Sequence, residues 1–149
     1  MRECGECTLC CTLLEVPVLE KASGEACAHC HPGGCSIYYG RPGQCHWDCL
    51  WLAEPSLPDE LRPDIHGVLF EPFWDARVVV AMAEPGAVWK KGPPANLIHT
   101  MLADGYVVWV MQEKDRHVIL PEGVTQEEAE ERAKRAWRGK WQARAIPQT

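Results

Sequence analysis

The sequence lacks several features that would place it in a common functional class. It has no uninterrupted run of about 18 apolar residues, the length that a membrane-spanning helix needs. The 15 lysines and arginines are outnumbered by 21 acidic residues, and the formal net charge of −6 argues against a basic nucleic-acid-binding face. The glycine-rich phosphate loop, the His-Glu-x-x-His motif and the Gly-x-Ser-x-Gly motif are absent as well. We therefore expect neither membrane insertion nor nucleic-acid binding, and no familiar catalytic motif indicates an enzyme.

Cysteine is missing from the last 100 residues, and all nine copies fall within residues 1–49. They open as Cys4-x-x-Cys7-x-x-Cys10-Cys11 and continue with Cys27, Cys30, Cys35, Cys45 and Cys49. A gap of two residues lets the chain turn so that two sulfurs reach one soft metal ion, at roughly 2.3 Å for zinc. The pattern predicts that these thiols bind metal.

Reduced thiols are expected rather than disulfides. Cys4 closely follows Met1, and residues 1–19 lack the apolar core of a signal peptide. This indicates a cytoplasmic protein, and thiols in that compartment are normally kept reduced. Nine is also an odd number, so complete internal disulfide pairing is impossible. Metal ligation is therefore favoured over a disulfide framework.

More than one metal ion per chain is expected. The Cα atoms of the adjacent Cys10 and Cys11 lie about 3.8 Å apart, and neighbouring side chains of an extended chain point to opposite sides. We therefore expect the two sulfurs to serve different ions, or one of them to bridge. Two tetrahedral sites would use eight of the nine thiols. Because thiols suffice, His29, His31 and His46 are expected to be exposed or to support the ligands.

The cysteine spacing does not identify the metal. Soft thiolates suit zinc, iron and cuprous copper alike. A bacterial ferredoxin run would place a fourth cysteine, followed by proline, four residues after Cys10, where this chain has Leu14. Zinc is therefore the preferred cofactor, and iron or an iron–sulfur cluster is the alternative.

The cysteine-containing part of the chain, residues 1–52, is called the cysteine segment, and it offers little positive charge to balance thiolates. Residues 1–49 contain three basic and six acidic side chains. We therefore expect backbone N–H groups to point at the sulfurs, with Arg41 as the candidate nearby cation.

The two parts of the chain differ in pattern. Residues 1–52 are rich in cysteine and glycine and predict loops, with a short strand at 13–19 and a helical turn at 47–52. Residues 53–149 begin with a proline-containing linker, with one helical turn at 59–61. They then predict strands at 67–70, 77–83, 106–112 and 117–120, and helices at 95–103 and after a capping box at Thr125. We expect one compact α+β unit, in which Cys-rich N-terminal metal-binding loops pack on a small antiparallel β-sheet with about two helices.

Two sequence blocks of the cysteine segment resemble a known family. They are the opening cysteine run and the pair Gly34-Cys35-Ser36-Ile37-Tyr38 and Arg41-Pro42-x-x-Cys45-x-x-x-Cys49. Together they resemble the CxxCxxCC (YkgJ-type) family of zinc- or iron-chelating, mostly bacterial cysteine-cluster proteins, over residues 4–51. The resemblance implies that eight cysteines chelate metal, with Cys30 as a ninth: Cys4, Cys7, Cys10, Cys11, Cys27, Cys35, Cys45 and Cys49.

Three functions remain open. The favoured one is a non-catalytic protein with structural metal sites, because saturating thiolate ligation leaves no open position for a reactive water. The second is an enzyme or redox component with an iron–sulfur cluster. The third is metal storage or delivery, which predicts several ions that exchange rapidly with chelators. The sequence indicates neither a substrate nor a protein partner.

Overall fold

The structure is a computed structural model of the chain. It describes residues 4, 7–13, 16, 19–22, 24–40 and 49–145, apart from the side chains of residues 138–145. Its helices are α1 (Cys10–Leu13), α2 (Leu50–Ala53), α3 (Pro63–His66), α4 (Gly92–Ala103) and α5 (Gln126–Ala145). Its strands are β1 (Cys30–His31), β2 (Gly34–Cys35), β3 (Val68–Phe73), β4 (Val78–Ala83), β5 (Val107–Gln112) and β6 (Asp115–Ile119). Single 3-10 turns lie at Tyr38–Gly40 and at Asp59–Leu61, the latter as predicted. The chain has the α+β class that the sequence predicted.

The larger sheet has four strands in the order β3-β4-β5-β6. Its outer pairs are antiparallel, but β4 and β5 run parallel, with Val78 opposite Val107. The expected antiparallel sheet is therefore wrong at this central pairing. Between these strands the chain forms α4, and a helical crossover is what parallel neighbours require. β1 and β2 form a separate two-stranded antiparallel sheet inside the cysteine segment.

Valine-rich strands build the core of the larger sheet. Five valines of β4 and β5 have no exposed surface: Val78, Val79, Val107, Val108 and Val110. Branched side chains of this kind fit the pleated surface of a sheet. From α4, Leu97, Ile98 and Met101 join the same core.

Several predicted boundaries differ from the observed ones, and β3 extends to Phe73 instead of ending at residue 70. Two other differences have local reasons. β6 begins at Asp115, earlier than predicted, because the turn before it is short and is opened by Glu113 in the left-handed conformation at φ 52°. α4 begins at Gly92, so Pro93 and Pro94 occupy its first turn instead of preceding it. Proline is tolerated there because the first N–H groups of a helix have no intrahelical acceptor.

The start of α5 confirms one half of the predicted capping box. Thr125 Oγ1 accepts a hydrogen bond from the Glu128 backbone N–H at 3.2 Å. The reciprocal half is wrong, because the Glu128 carboxylate accepts a hydrogen bond from Arg132 at 3.2 Å. The Arg132 guanidinium also donates to the Gly105 carbonyl oxygen at 2.9 Å, which ties α5 to the start of β5.

The cysteine segment and the sheet share one hydrophobic core. Leu9 and Val16 are buried in the same cluster as Leu52 of α2 and Leu69 of β3. None of the helices in the described ranges is long and apolar enough to cross a membrane.

Two predictions in the cysteine segment meet different outcomes. The strand predicted at 13–19 is wrong at its start, because Leu13 ends α1, and Val16 forms only an isolated bridge with Lys21. Residues 14, 15, 17 and 18 lie outside the described residues. The helical turn predicted at 47–52 is observed as α2, whereas residues 47 and 48 lie outside the described residues.

Candidate metal centre

Six of the nine predicted ligands surround one small cavity. The cavity has a volume of about 30 Å³, and its cysteines are Cys4, Cys7, Cys10, Cys11, Cys27 and Cys35. The apolar side chains of Val16, Leu19 and Ile37 complete much of its wall. Of the other predicted ligands, Cys30 and Cys49 interact electrostatically with these thiols, and Cys45 lies outside the described residues.

Backbone hydrogen bonds close two of the three Cys-x-x-Cys pairs into turns. The Cys7 N–H donates to the Cys4 carbonyl oxygen at 2.9 Å, and the Cys30 N–H donates to the Cys27 carbonyl oxygen at 3.1 Å. The Cys27 N–H donates to the Cys11 carbonyl oxygen at 2.7 Å, which joins the two halves of the segment. These bonds bring cysteines that are distant in sequence to one place.

The β1–β2 hairpin adds another cysteine to the same region. Cys30 in β1 pairs with Cys35 in β2, across a turn that contains Gly33. The hairpin therefore connects Cys35, which lines the cavity, to the Cys27 turn.

Cys10 and Cys11 lie in a helical turn, which corrects the extended conformation expected from the sequence. Successive side chains of a helix are separated by about 100° around the axis rather than lying on opposite sides. The two thiols hydrogen-bond each other: this bond raises the pKa of Cys10, together with burial, and lowers the pKa of Cys11. The Cys10 thiol therefore loses its proton less readily than the Cys11 thiol.

Burial is the largest influence on the pKa values of Cys7 and Cys49, the two described cysteines that are buried. It raises the pKa of Cys7 to about 11 and the pKa of Cys49 to about 12. The charge of Cys4 raises both values further, and the backbone amides of Leu9 and Leu52 partly offset the rise. Without a cation, these two thiols are neutral at pH 7.

The thiol–thiol interactions divide the cysteines into two groups. Cys49 interacts with Cys4 and Cys7, and Cys10 interacts with Cys4 and Cys49. In the second group, the pKa of Cys30 is raised by burial and by its neighbours Cys11 and Cys27. The bond between Cys10 and Cys11 joins the two groups.

Lys21 is a buried cation that the sequence analysis missed. It lines the cavity, its exposed fraction is only 5%, and its positive charge contributes to the lowered pKa of Cys11. Its Nζ donates to the carbonyl oxygens of Thr12 at 3.2 Å and Ala22 at 3.3 Å. Lys21 is the one lysine in residues 1–49, which is the signal that would have found it. The predicted cation, Arg41, lies outside the described residues.

A backbone N–H group points at a cysteine sulfur, as expected if such groups offset the negative charge of thiolates. The His29 N–H donates to Cys27 Sγ at 3.5 Å. Tyr38 Oη accepts a hydrogen bond from the Cys4 N–H at 3.1 Å, which links the 3-10 turn to the opening cysteine block.

Two of the three histidines of the cysteine segment lie within the described residues. His31 is exposed, and its Nδ1 accepts a hydrogen bond from the Gly33 N–H at 3.2 Å. His29 is half-buried, and His46 lies outside the described residues. Within the described ranges, no three or more His, Cys, Asp or Glu side chains have the arrangement of ligands around a single metal ion. No disulfide joins two of the described cysteines.

Comparisons of the chain with models of protein families, with curated proteins and with solved structures found no match. The functional argument therefore rests on the chemistry of the cysteines and on their geometry in this fold.

Proposed function

We propose that the protein binds two or more metal ions through the thiolates of its cysteine segment, and that these ions stabilise the fold. One observation carries the proposal: six cysteines from three separate stretches of the chain line the same small cavity. A soft metal ion explains why these cysteines lie together, because thiolates are its preferred ligands.

The size and electrostatics of the cavity favour a metal ion as its occupant. A volume of about 30 Å³ accommodates one or two water-sized bodies, which is too little for an organic ligand. Burial keeps the Cys7 and Cys49 thiols neutral, and a bound cation would offset the cost of ionising them.

The two groups of interacting thiols indicate how the ligands would be shared between two ions. Cys4, Cys7, Cys10 and Cys49 would hold the first ion. Cys11, Cys27 and Cys30 would hold the second, together with Cys35, which pairs with Cys30 in the β1–β2 hairpin and lines the same cavity, and Cys45 is the ninth predicted ligand. Adjacent Cys10 and Cys11 would then place the two ions next to each other, with Lys21 balancing part of the thiolate charge.

Complete thiolate ligation supports a structural role rather than catalysis. A catalytic zinc keeps one position for water or substrate, whereas a structural zinc is closed by four protein ligands. Eight thiols in two groups would close both sites. Their binding free energy would then add to the free energy of folding of the cysteine segment.

Elemental analysis of protein purified without oxygen tests the proposal. The same sample is assayed for acid-labile sulfide, and its visible spectrum is recorded. We expect about two zinc ions per chain, no sulfide and no colour. Iron with matching sulfide would replace the zinc proposal by the iron–sulfur alternative. A protein without bound metal would contradict both.

A further inference from the structure

A second cavity lies away from the cysteines, between the larger sheet and α5. Its volume is about 220 Å³, and it is lined by Trp109, Arg116, Ala133, Lys134 and Trp137. No residue of the proposed metal centre belongs to it. The metal-binding proposal leaves this combination of aromatic and basic side chains without a role.

The strand register brings the sheet side of this cavity together. Trp109 in β5 pairs with Val118 in β6, and Met111 pairs with Arg116. Because side chains two residues apart share a face of a strand, Trp109 and Arg116 lie on the same face of the sheet. α5 covers this face with Ala133, Lys134 and Trp137, and the small Ala133 side chain leaves space between helix and sheet.

Two indole rings form perpendicular walls. The rings of Trp109 and Trp137 have centroids 6.3 Å apart and an interplanar angle of 85°. Trp137 also stacks on Phe73, with centroids 6.3 Å apart and an angle of 9°. This stacking fixes the Trp137 ring while 36% of the residue stays exposed. A planar ring could pack against these walls with favourable edge or face geometry.

Trp109 provides a buried hydrogen-bond donor. The residue has an exposed fraction of 8%, and its Nε1 is buried without an acceptor in the part of the chain that the structure describes. Because this atom is buried, a ligand in the cavity would contact the Trp109 ring rather than its N–H group.

Two cations face the same space. Arg116 is exposed on β6, and Lys134 is exposed on α5. Lys134 Nζ lies 3.3 Å from Glu131 Oε1, but both side chains are well exposed, and such pairs are weak. The buried carboxylate of Glu71 lies on the same sheet face, two strands from Trp109, and is engaged in an interaction of its own. Arg116 and Lys134 therefore give this cavity two positively charged side chains.

We propose that this cavity binds a small organic anion, namely one aromatic ring that carries a carboxylate or phosphate group. The ring packs against Trp109 and Trp137. The anionic group lies between Arg116 and Lys134. The volume of about 220 Å³ suits a single ring with one anionic group.

Isothermal titration calorimetry on the full, metal-containing chain tests the ligand chemistry with four probes. Benzoate is compared with neutral benzamide, and phenyl phosphate with inorganic phosphate. We expect at least one aromatic anion to bind about fivefold or more tightly than its matched control, since charge-assisted hydrogen bonds contribute this much or more. Benzoate alone or phenyl phosphate alone would identify the anionic group. Equal binding of both members in each pair, or no binding of either aromatic anion, would overturn the proposal.

Substitutions locate the binding. Arg116→Gln and Lys134→Gln should each weaken binding of the better probe about fivefold, and Ala133→Leu should weaken it further by narrowing the cavity. Arg135→Gln is the matched control, because Arg135 is an exposed cation on the same helix that does not line the cavity. An equal effect of Arg135→Gln and Lys134→Gln would overturn the assignment, because it would show a general charge effect.

An independent readout covers the case in which Ala133→Leu disturbs packing. The indole N–H signal of Trp109, assigned by its loss in Trp109→Phe, should shift in NMR spectra when the probe binds. A probe that binds without moving this signal would overturn the proposed site.

Discussion

At the scale of single residues, the thiols of the cysteine segment differ in pKa because their surroundings differ. Burial raises the pKa values of Cys7 and Cys49, whereas the hydrogen bond with Cys10 and the charge of Lys21 lower the pKa of Cys11. A metal ion would let the neutral thiols ionise, which couples metal binding to the local electrostatics. The cysteines themselves could be found from spacing alone. Lys21 could not, because its burial depends on the turn that pairs it with Val16.

Replacing Cys7 by serine should cost at least one bound metal ion per chain and unfold the cysteine segment. The thiol is buried among other thiols, and a hydroxyl is a poor ligand for a soft ion. Metal content by elemental analysis and amide hydrogen exchange would measure the two effects. His99→Ala is the control, because His99 is exposed on α4 far along the chain. A Cys7→Ser protein that is fully folded with unchanged metal would contradict the ligand assignment.

Replacing Lys21 by methionine should lower the free energy of unfolding by about 2 kcal/mol. Methionine keeps the length and apolar bulk of the side chain, but it leaves the carbonyl oxygens of Thr12 and Ala22 without this donor. Chemical denaturation of the metal-containing protein would measure the change. Stability equal to that of the unmodified protein would show that the hydrogen bonds from Lys21 to these two carbonyl oxygens do not stabilise the fold.

At the scale of elements, local signals predicted the strands and the last helix well. The β-branched run of β4 and the Thr125 cap act within a few residues, so the sequence shows them directly. The parallel pairing of β4 with β5 depends on how α4 packs back on the sheet, which is a non-local property. The α1 turn was missed for a related reason: the Leu13 N–H donates to the Leu9 carbonyl oxygen at 2.9 Å, and Leu9 is anchored in the shared core.

The junction between α3 and β3 requires glycine, and Gly67→Ala should destabilise the protein by about 1–2 kcal/mol. Gly67 ends α3 in the left-handed conformation at φ +71°. A Cβ atom there would lie 2.6 Å from Glu84 Oε1, so the Glu84 side chain would have to move. Gly86→Ala is the matched control, since Gly86 has φ +83° and open space around it. Thermal unfolding of both variants should show the larger loss for Gly67→Ala, and equal losses would show that the close approach to Glu84 costs nothing.

At the scale of the whole molecule, one hydrophobic core connects the cysteine segment to the four-stranded sheet. Leu9 and Val16 belong to this core, so the cysteine segment covers part of the sheet surface. The sequence predicted both regions and their α+β class. It could not show that six cysteines surround one cavity, because that depends on backbone bonds such as the one from Cys27 N–H to the Cys11 carbonyl oxygen.

Removing metal with a chelator under reducing conditions should loosen the cysteine segment first. The amides of Cys27 and Cys30, which are bonded within that segment, should lose protection from hydrogen exchange. The amides of β4 and β5 should stay protected, because these central strands are bonded on both sides. Unchanged protection throughout the chain would contradict a structural role for the metal and would favour storage or delivery.

X-ray absorption at the edge of the bound metal tests the central claim most directly, because it counts and identifies the ligands. The proposal predicts about four sulfur neighbours per ion at roughly 2.3 Å, with no shell of nitrogen or oxygen. A first shell dominated by nitrogen or oxygen at about 2.0–2.2 Å would contradict ligation by the cysteine cluster.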